Sequence, residues 1–399
     1  MIDRDITNEL LFLSKQYPVV TIVGPRQTGK TTLSQQVFPE FHYANLELPE
    51  WRSLAEEDPQ AFFRTFPSPL IIDEIQRVPS LLSYIQVQVD KDQKVGQYIL
   101  TGSHQFQLQQ AISQSLAGRS ALLTLFPFSI KELSNAELHY SRDEYLFQGF
   151  FPRIYKDKQE PNRAYRNYYQ TYIERDLRQM SNIRNLNLFD KFIRLLAGRT
   201  GQVMNLHSLS SDVGVSSTTL HEWLSLLEAS FVIYRLQPYY QNFGKRTIKS
   251  PKIYFTDVGL LCYLLGISEI HQVGRDPLIG SIFENMVVME AIKTLLNQGK
   301  EPKLFFYRDN NQIEVDLLYQ KGHEMIPIEI KSAMTFHPSF RQKLDRICRL
   351  MDSSQAFIIY AGELEIQLEN VKIMNYTNTN QIFSEILNDP IKNNTKLYK

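Results

Sequence analysis

The 399-residue sequence predicts an α/β protein of several parts, and three observations carry that expectation. Between Tyr17 and Phe128 the apolar runs VVTIV, PLIID, QYILTG and ALLTLF alternate with longer helical stretches, the pattern of a parallel sheet covered by helices. Between Asn205 and Tyr240 come a short helix, a glycine-containing turn, a second helix and the strand-like FVIYRLQPYY, the outline of a winged helix-turn-helix. Beyond Pro251 the segment KIYFTDVGLLCYLLG opens a further α/β region, in which two alternating runs flank a polar turn.

The first part is read from its loop. After VVTIV the chain reads Gly24-Pro25-Arg26-Gln27-Thr28-Gly29-Lys30-Thr31, with Thr32 continuing into the helix TTLSQQVF. This is P-loop spacing in the strand–loop–helix setting that the motif requires. Gly24 and Gly29 permit the tight turn that aims backbone N–H groups inward, and the phosphates then sit on the positive end of the helix. Lys30 is expected to reach the β/γ-phosphates and Thr31 to offer its hydroxyl to Mg²⁺, so ATP and Mg²⁺ are the expected ligands. A second strand ending in an acid completes such a site, and LIIDE supplies it. Asp73 is expected to hold the Mg²⁺ shell and Glu74 to polarise the attacking water, which argues for hydrolysis as well as binding. The strand QYILTGS ends in Thr101 and Ser103, placed to sense the γ-phosphate or the lytic water. Arg119, in LAGRSALL, is the candidate for an arginine that completes the transition-state charge, in cis or from a neighbouring copy; a surface salt bridge is the competing reading.

The middle of the chain is helical from Glu132 to Arg199, with Tyr165, Tyr168 and Tyr172 at helical spacing. From Arg153 to Arg199 there are 11 Lys/Arg against 5 Asp/Glu, a local excess of +6 that suits either a solvated surface or a nucleic-acid contact. In the helix-turn-helix, LHSLSSDV is the first helix and Thr218–Glu228 the second, capped by Ser216 or Ser217. Five basic residues and no acidic one lie from Arg235 to Lys252, including the wing segment GKRTIKSPK, and favour phosphate contact. The second helix, TTLHEWLSLLEAS, has few base-reading side chains and favours packing.

Near the C-terminus, Ile313–Tyr319 and Met325–Lys331 flank Lys-Gly-His-Glu. A turn centred on Gly322–His323 makes opposed residue numbers sum to 645, so Asp316 faces Glu329 and Glu314 faces Lys331. Glu314, Asp316, Glu329 and Lys331 then share one face, while Ile313, Val315, Leu317, Ile328 and Ile330 share the other. Opposed carboxylates repel unless a cation separates them. A second Mg²⁺, or Mn²⁺, is the expected cation, with Lys331 positioning or deprotonating a metal-activated water. The alternative is a solvent-facing hairpin in which Glu314 pairs with Lys331.

Composition limits the partners. Lys+Arg and Asp+Glu both total 43, which gives no whole-protein case for nucleic acid or a membrane surface. The two cysteines, Cys262 and Cys348, lie far apart in apolar runs, as in a reducing compartment. The N-terminus is charged at once and no window reaches about 18 uninterrupted apolar residues, so a soluble cytoplasmic protein without membrane spans is expected.

The Asp316…Glu329-x-Lys331 arrangement resembles the PD-(D/E)XK nucleases, and Glu284, in the helical run SIFENMVVMEA, sits where that fold often adds an acid. The chain as a whole, from about residue 15 to 380, resembles prokaryotic AAA-type P-loop ATPases that join a C-terminal domain of uncharacterised function. GPRQTGKTT, LIIDEIQRVP, YILTGS, LAGRSALLTLFPFS, YIERDL and EVDLL…PIEIKSA carry that likeness. It implies an ATPase domain over residues 1–135, a helical lid or linker over 136–200, a winged helix-turn-helix over 201–245 and a restriction-endonuclease-like domain over 250–385. One departure is that Glu314-Val315-Asp316 lacks a proline-aspartate start. Two functional expectations follow: an ATP-driven switch or motor acting on DNA through its C-terminal modules, or a regulatory ATPase whose modules bind a protein partner or a second copy of the chain.

Overall fold

The computed structural model describes residues 2–103, 115–177, 183, 185–239, 250–309 and 313–388. Four apolar runs and the mixed segment HYAN, which the sequence pattern does not mark, form a parallel sheet: β1 (Val19–Val23), β2 (His42–Asn45), β3 (Leu70–Asp73), β4 (Tyr98–Gly102) and β5 (Ser120–Thr124), in the order β2-β3-β4-β1-β5. Strands β1, β3 and β4 are buried along their whole length, because helices cover both faces. Alternation divides β1: Val20 and Ile22 meet Leu10 and Leu33 of the helices Thr7–Ser14 and Lys30–Val37. Val19 and Val23 join the cluster of Leu82, Ile85 and Val89 on the helix Leu81–Asp92. Since every strand runs the same way, the loops after β1, β3 and β4 open at one edge of the sheet, where ligands of open α/β sheets bind.

The connecting helices bury Tyr165, Tyr168 and Tyr172, in keeping with their spacing. The helix-turn-helix comprises Leu206–Val213 and Ser217–Ala229, joined through Gly214 at φ 91°. Ser216 caps the second helix by accepting from the Thr219 N–H at 3.1 Å, which decides between the two serines expected there. Strand β6 (Ile233–Pro238) then pairs antiparallel with β7 (Lys252–Phe255). Gly244 to Lys249, the core of the expected basic wing, lie outside the described residues, as do Arg178 and Arg184 of the basic middle stretch.

A second sheet has eight strands, adding β8 (Leu304–Arg308), β9 (Glu314–Lys321), β10 (Glu324–Lys331), β11 (Ala356–Tyr360), β12 (Ile366–Leu368) and β13 (Val371–Asn375), in the order β12-β13-β11-β10-β9-β8-β6-β7. Strand β6 pairs with β8 through Gln237 and Pro238, so the sheet crosses the expected boundary between 245 and 250. The β9–β10 hairpin has the expected register, with Glu324 opposite Lys321 and Ile328 opposite Leu317. The apolar residues divide differently: Leu317, Ile328 and Ile330 share one cluster, whereas Val315 packs with Tyr307 and Leu318 in another. Both cysteines are buried and free, and no helix among the described residues is long and apolar enough to cross a membrane.

Candidate functional site

At the open edge of the first sheet the loop after β1 wraps the start of Lys30–Val37. A side chain at Gly24, whose φ is 147°, would put its Cβ 2.1 Å from the Leu125 carbonyl oxygen, so only glycine fits. Gln27 and Gly29 are left-handed at φ 64° and 89°, and the Thr28 hydroxyl donates to the Pro25 carbonyl at 3.0 Å to close the turn. The Lys30 ammonium lies inside the loop and donates to the carbonyls of Gly24 at 3.0 Å and Pro25 at 2.7 Å. Burial lowers its pKa to about 8, against the opposing pull of Glu74 and Asp73. Arg26 stacks 5.1 Å over the Tyr172 ring and ties the loop to the helical middle region.

Asp73 ends β3 inside a cage of hydroxyls. Thr31 Oγ1 donates to both its oxygens at 2.9 Å, Tyr43 of β2 donates at 3.0 Å, and Thr101 of β4 donates as well. Glu74 follows in the left-handed region at φ 58°, a strained position for a side-chain-bearing residue, and its N–H donates to Thr101 Oγ1 at 3.2 Å. The Glu74 carboxylate accepts from Gln76 Nε2 and, at 3.3 Å, from Ser103. Gln76 Oε1 is buried without a partner. The direct Thr31–Asp73 contact joins the hydroxyl and carboxylate that suit Mg²⁺, so the residues present fit that ion.

Beside the loop lies a cavity of about 520 Å³, lined by Thr28, Gly29, Thr32, Leu33, Phe128, Leu138 and Tyr155 among others. It is mainly apolar, with Arg4, Gln36 and Lys156 also on its wall, borders the helix N-terminus at Gly29, and is in the size range of ligand pockets. Thr32 therefore faces this cavity. Arg4 closes its floor by donating to the Thr28 carbonyl at 2.8 Å, the Phe126 carbonyl at 2.6 Å and Glu132 at 2.9 Å. Glu132 in turn accepts from the Ser129 N–H at 2.8 Å in a capping box. The long helix Ile279–Asn297 grips the same segment: Glu290 accepts from the Ile130 N–H at 2.8 Å, and Lys293 donates to the Phe128 carbonyl at 2.7 Å.

Arg119 is not at this site in cis. Its carbonyl accepts from the Val19 N–H at the start of β1, whereas the phosphate loop follows the end of that strand, about 15 Å away at ~3.3 Å per residue. Its guanidinium is held by Asp90 at 2.5 and 2.9 Å. A residue preceding a strand lies at the sheet edge opposite the loops. Tyr43, Gln76 and Arg4 had not been expected; Gln76, two positions after Glu74, was the one with a visible signal.

The second cluster joins Glu284 of the long helix, Glu314 and Asp316 of β9, and Glu329 and Lys331 of β10. Glu314 does not pair with Lys331. It contacts Lys252 Nζ at 2.7 Å and Arg308 at 3.3 Å. Lys252, on β7, also lies 3.0 Å from Glu284, which accepts from the Tyr254 hydroxyl at 2.5 Å. Asp316 accepts from the Ile330 N–H at 2.8 Å and lies 4.0 Å from Lys331, which donates to Glu329. Burial pushes Glu284 up to about 7 against the pull of Lys252, and burial with Asp316 pushes Glu329 up to about 7. The expected metal set of Glu284, Asp316 and Glu329 is not assembled around an open position: Lys252 holds Glu284, and Lys331 lies against the other two. Among the described residues no group of three or more His, Cys, Asp or Glu could hold a metal ion. The residues present therefore do not fit the second metal.

Three family models match successive parts of the chain. A family described as an AAA domain matches residues 16–134, and two described as domains of unknown function, DUF8612 and DUF4143, match 140–271 and 279–379. The chain is 30% identical over 375 residues to the uncharacterized protein Rv2008c of Mycobacterium tuberculosis, covering 93% of this chain and 82% of that one. An uncharacterized protein of Haemophilus influenzae is 23% identical over 397 residues, covering 90% and 93%. Among solved structures, the Walker-type ATPase PABY2304 of Pyrococcus abyssi has a TM-score of 0.44 and 16% identity, covering 66% of this chain and 96% of that one.

Proposed function

The chain belongs to the same family as Rv2008c of Mycobacterium tuberculosis and is an ATPase built on an AAA domain, and from that premise we propose that it is an ATP-driven switch with the following division of labour. The phosphates lie on the loop Gly24–Thr32, with Lys30 exchanging its bonds to the Gly24 and Pro25 carbonyls for bonds to phosphate oxygens. The nucleoside occupies the cavity beside Thr32, Phe128 and Tyr155. Mg²⁺, when bound, is held by Thr31 and Asp73 and neutralises charge on the phosphates. Glu74 orients and deprotonates the attacking water, while Ser103 and Gln76 fix its carboxylate. Arg119 acts on the site of a neighbouring copy.

The observation that carries this reading is the meeting of Thr31, Asp73, Thr101 and Glu74 at one edge of the sheet. Phosphate release from ATP by the wild type, lost in Lys30→Ala, is the test; equal turnover in both would refute it.

For the C-terminal parts, helix pairs followed by β6 and β7 support a winged helix-turn-helix, and the run of long helix, β8, β9, β10, helix Ser339–Met351 and β11 supports an endonuclease-like fold. Exposed Arg153, Lys156, Lys158, Arg163 and Arg166 support DNA as the object of the switch. The reading in which these parts bind a protein partner is favoured by a different observation. Helix Ser217–Ala229 exposes Thr218, His221, Glu222 and Ser225 and no Lys or Arg, while Arg199 and Arg235 are bound to Asp212 and Glu228. Affinity for duplex DNA that falls steeply with added salt supports the DNA reading; its absence supports the protein partner.

A further inference from the structure

Four carboxylates converge on the β9–β10 hairpin, and the physical question is which cation balances them. Glu284 arrives on the long helix, Glu314 and Asp316 on β9, and Glu329 on β10. The cation shared by Glu284 and Glu314 is Lys252, contributed by β7, the strand that follows the helix pair. Its Nζ lies 3.0 Å from Glu284 and 2.7 Å from Glu314, and its side chain is 1% exposed. Tyr254, two residues on along the same strand, donates to the same Glu284 oxygen at 2.5 Å. Arg308 takes the other Glu314 oxygen at 3.3 Å, and Lys331 lies against Asp316 and Glu329.

A buried ammonium is costly unless paired, and these carboxylates are what keeps it charged. Burial alone would lower the Lys252 pKa, yet Glu284, Asp316 and Glu314 raise it above that of a free lysine. The side chain is buried, with Nζ 5.5 Å over the Phe306 ring. Mg²⁺ requires near-octahedral oxygens at about 2.0–2.1 Å, and a dication beside a fixed ammonium meets like-charge repulsion. Three cations already face four carboxylates, and Lys343 adds positive potential at Glu329. The partnerless atom of the cluster is Glu329 Oε2, a single oxygen and not a coordination shell.

We infer that Lys252 is the resident cation between Glu284 and Glu314, as Lys331 is beside Asp316 and Glu329, and that among the described residues this cluster forms no metal-dependent phosphodiester-cleaving centre. The hairpin, the long helix and β7 are then locked by a buried ion network. This conclusion is independent of ATP hydrolysis at the first site.

The test is Mn²⁺ titration of the nucleotide-free full chain, with free Mn²⁺ read by electron paramagnetic resonance. The wild type and Asp316→Asn should give superimposable curves, since any weak binding at Thr31 and Asp73 is common to both. Lys252→Ala should gain one equivalent bound at least tenfold more tightly, and Mn²⁺ should raise its melting temperature by more than that of the wild type. An equivalent bound by the wild type and lost in Asp316→Asn would overturn the inference, as would a folded Lys252→Ala that gains nothing. Should Lys252→Ala fail to fold, the comparison of wild type with Asp316→Asn still decides.

Discussion

Lys30 illustrates how one residue reports its surroundings. In the nucleotide-free chain its ammonium is buried against two carbonyls and its pKa falls to about 8. Above that pH the folded loop holds a neutral amine, whereas phosphate oxygens favour the ammonium. ATP binding at pH 9 should therefore take up close to one proton, and at pH 6.5 none from this group. Calorimetry in buffers of different ionisation enthalpy measures this, and equal uptake in Lys30→Arg would assign the proton elsewhere. Glu74 makes a second prediction. Glu74→Gln keeps the side chain's shape and the phosphate loop but removes the base, so ATP affinity should persist while turnover falls by about 10²–10⁴-fold. Single-turnover phosphate release separates the two effects.

Among elements, β7 carries the largest energetic consequence. Replacing Lys252 by Met leaves Glu284 and Glu314 without their shared cation in a buried setting, a change that costs about 3–5 kcal/mol in comparable pairs and is measurable by urea denaturation. The pH dependence of the same cluster has a definite sign. Glu284 and Glu329 are raised from 4.5 to about 7, so the folded chain binds more protons than the unfolded chain between those values. Their stabilisation is complete below about pH 4.5 and is lost as pH rises through 7. The melting temperature of the wild type should fall from pH 5 to 8, and Glu329→Gln should flatten that slope. Much of this geometry was legible beforehand, because strand alternation and turn position are local: the hairpin register and the strand ends bearing Asp73 and Thr101 follow from short windows. Lys252 was not, because its partners lie 32 and 62 positions away and nothing in KIYF marks a lysine for burial. For Arg119 the sequence left cis, trans and a surface salt bridge open, because the motif shows which residue is basic, whereas strand direction decides which sheet edge it occupies.

At the scale of the whole molecule, one helix touches both clusters. Ile279–Asn297 brings Glu284 to the ion network and, two turns later, Glu290 and Lys293 to the segment that walls the nucleotide cavity. Lys293→Met removes the donor to the Phe128 carbonyl and leaves Glu290 without its buried cation. ATP affinity should weaken by up to about tenfold, the equivalent of 1.4 kcal/mol, although the residue contacts no phosphate. Unchanged affinity in calorimetry would show that helix and cavity are energetically independent. The shared strand β6 governs how the chain can be dissected. A fragment beginning at residue 250 would strip β8 of β6, one of its two neighbours, and expose unpaired backbone groups, a template for aggregation. One that ends at residue 245 would take β6 away from both β7 and β8. The residues after 250 are thus not severable from β6, and their expression alone should yield insoluble protein.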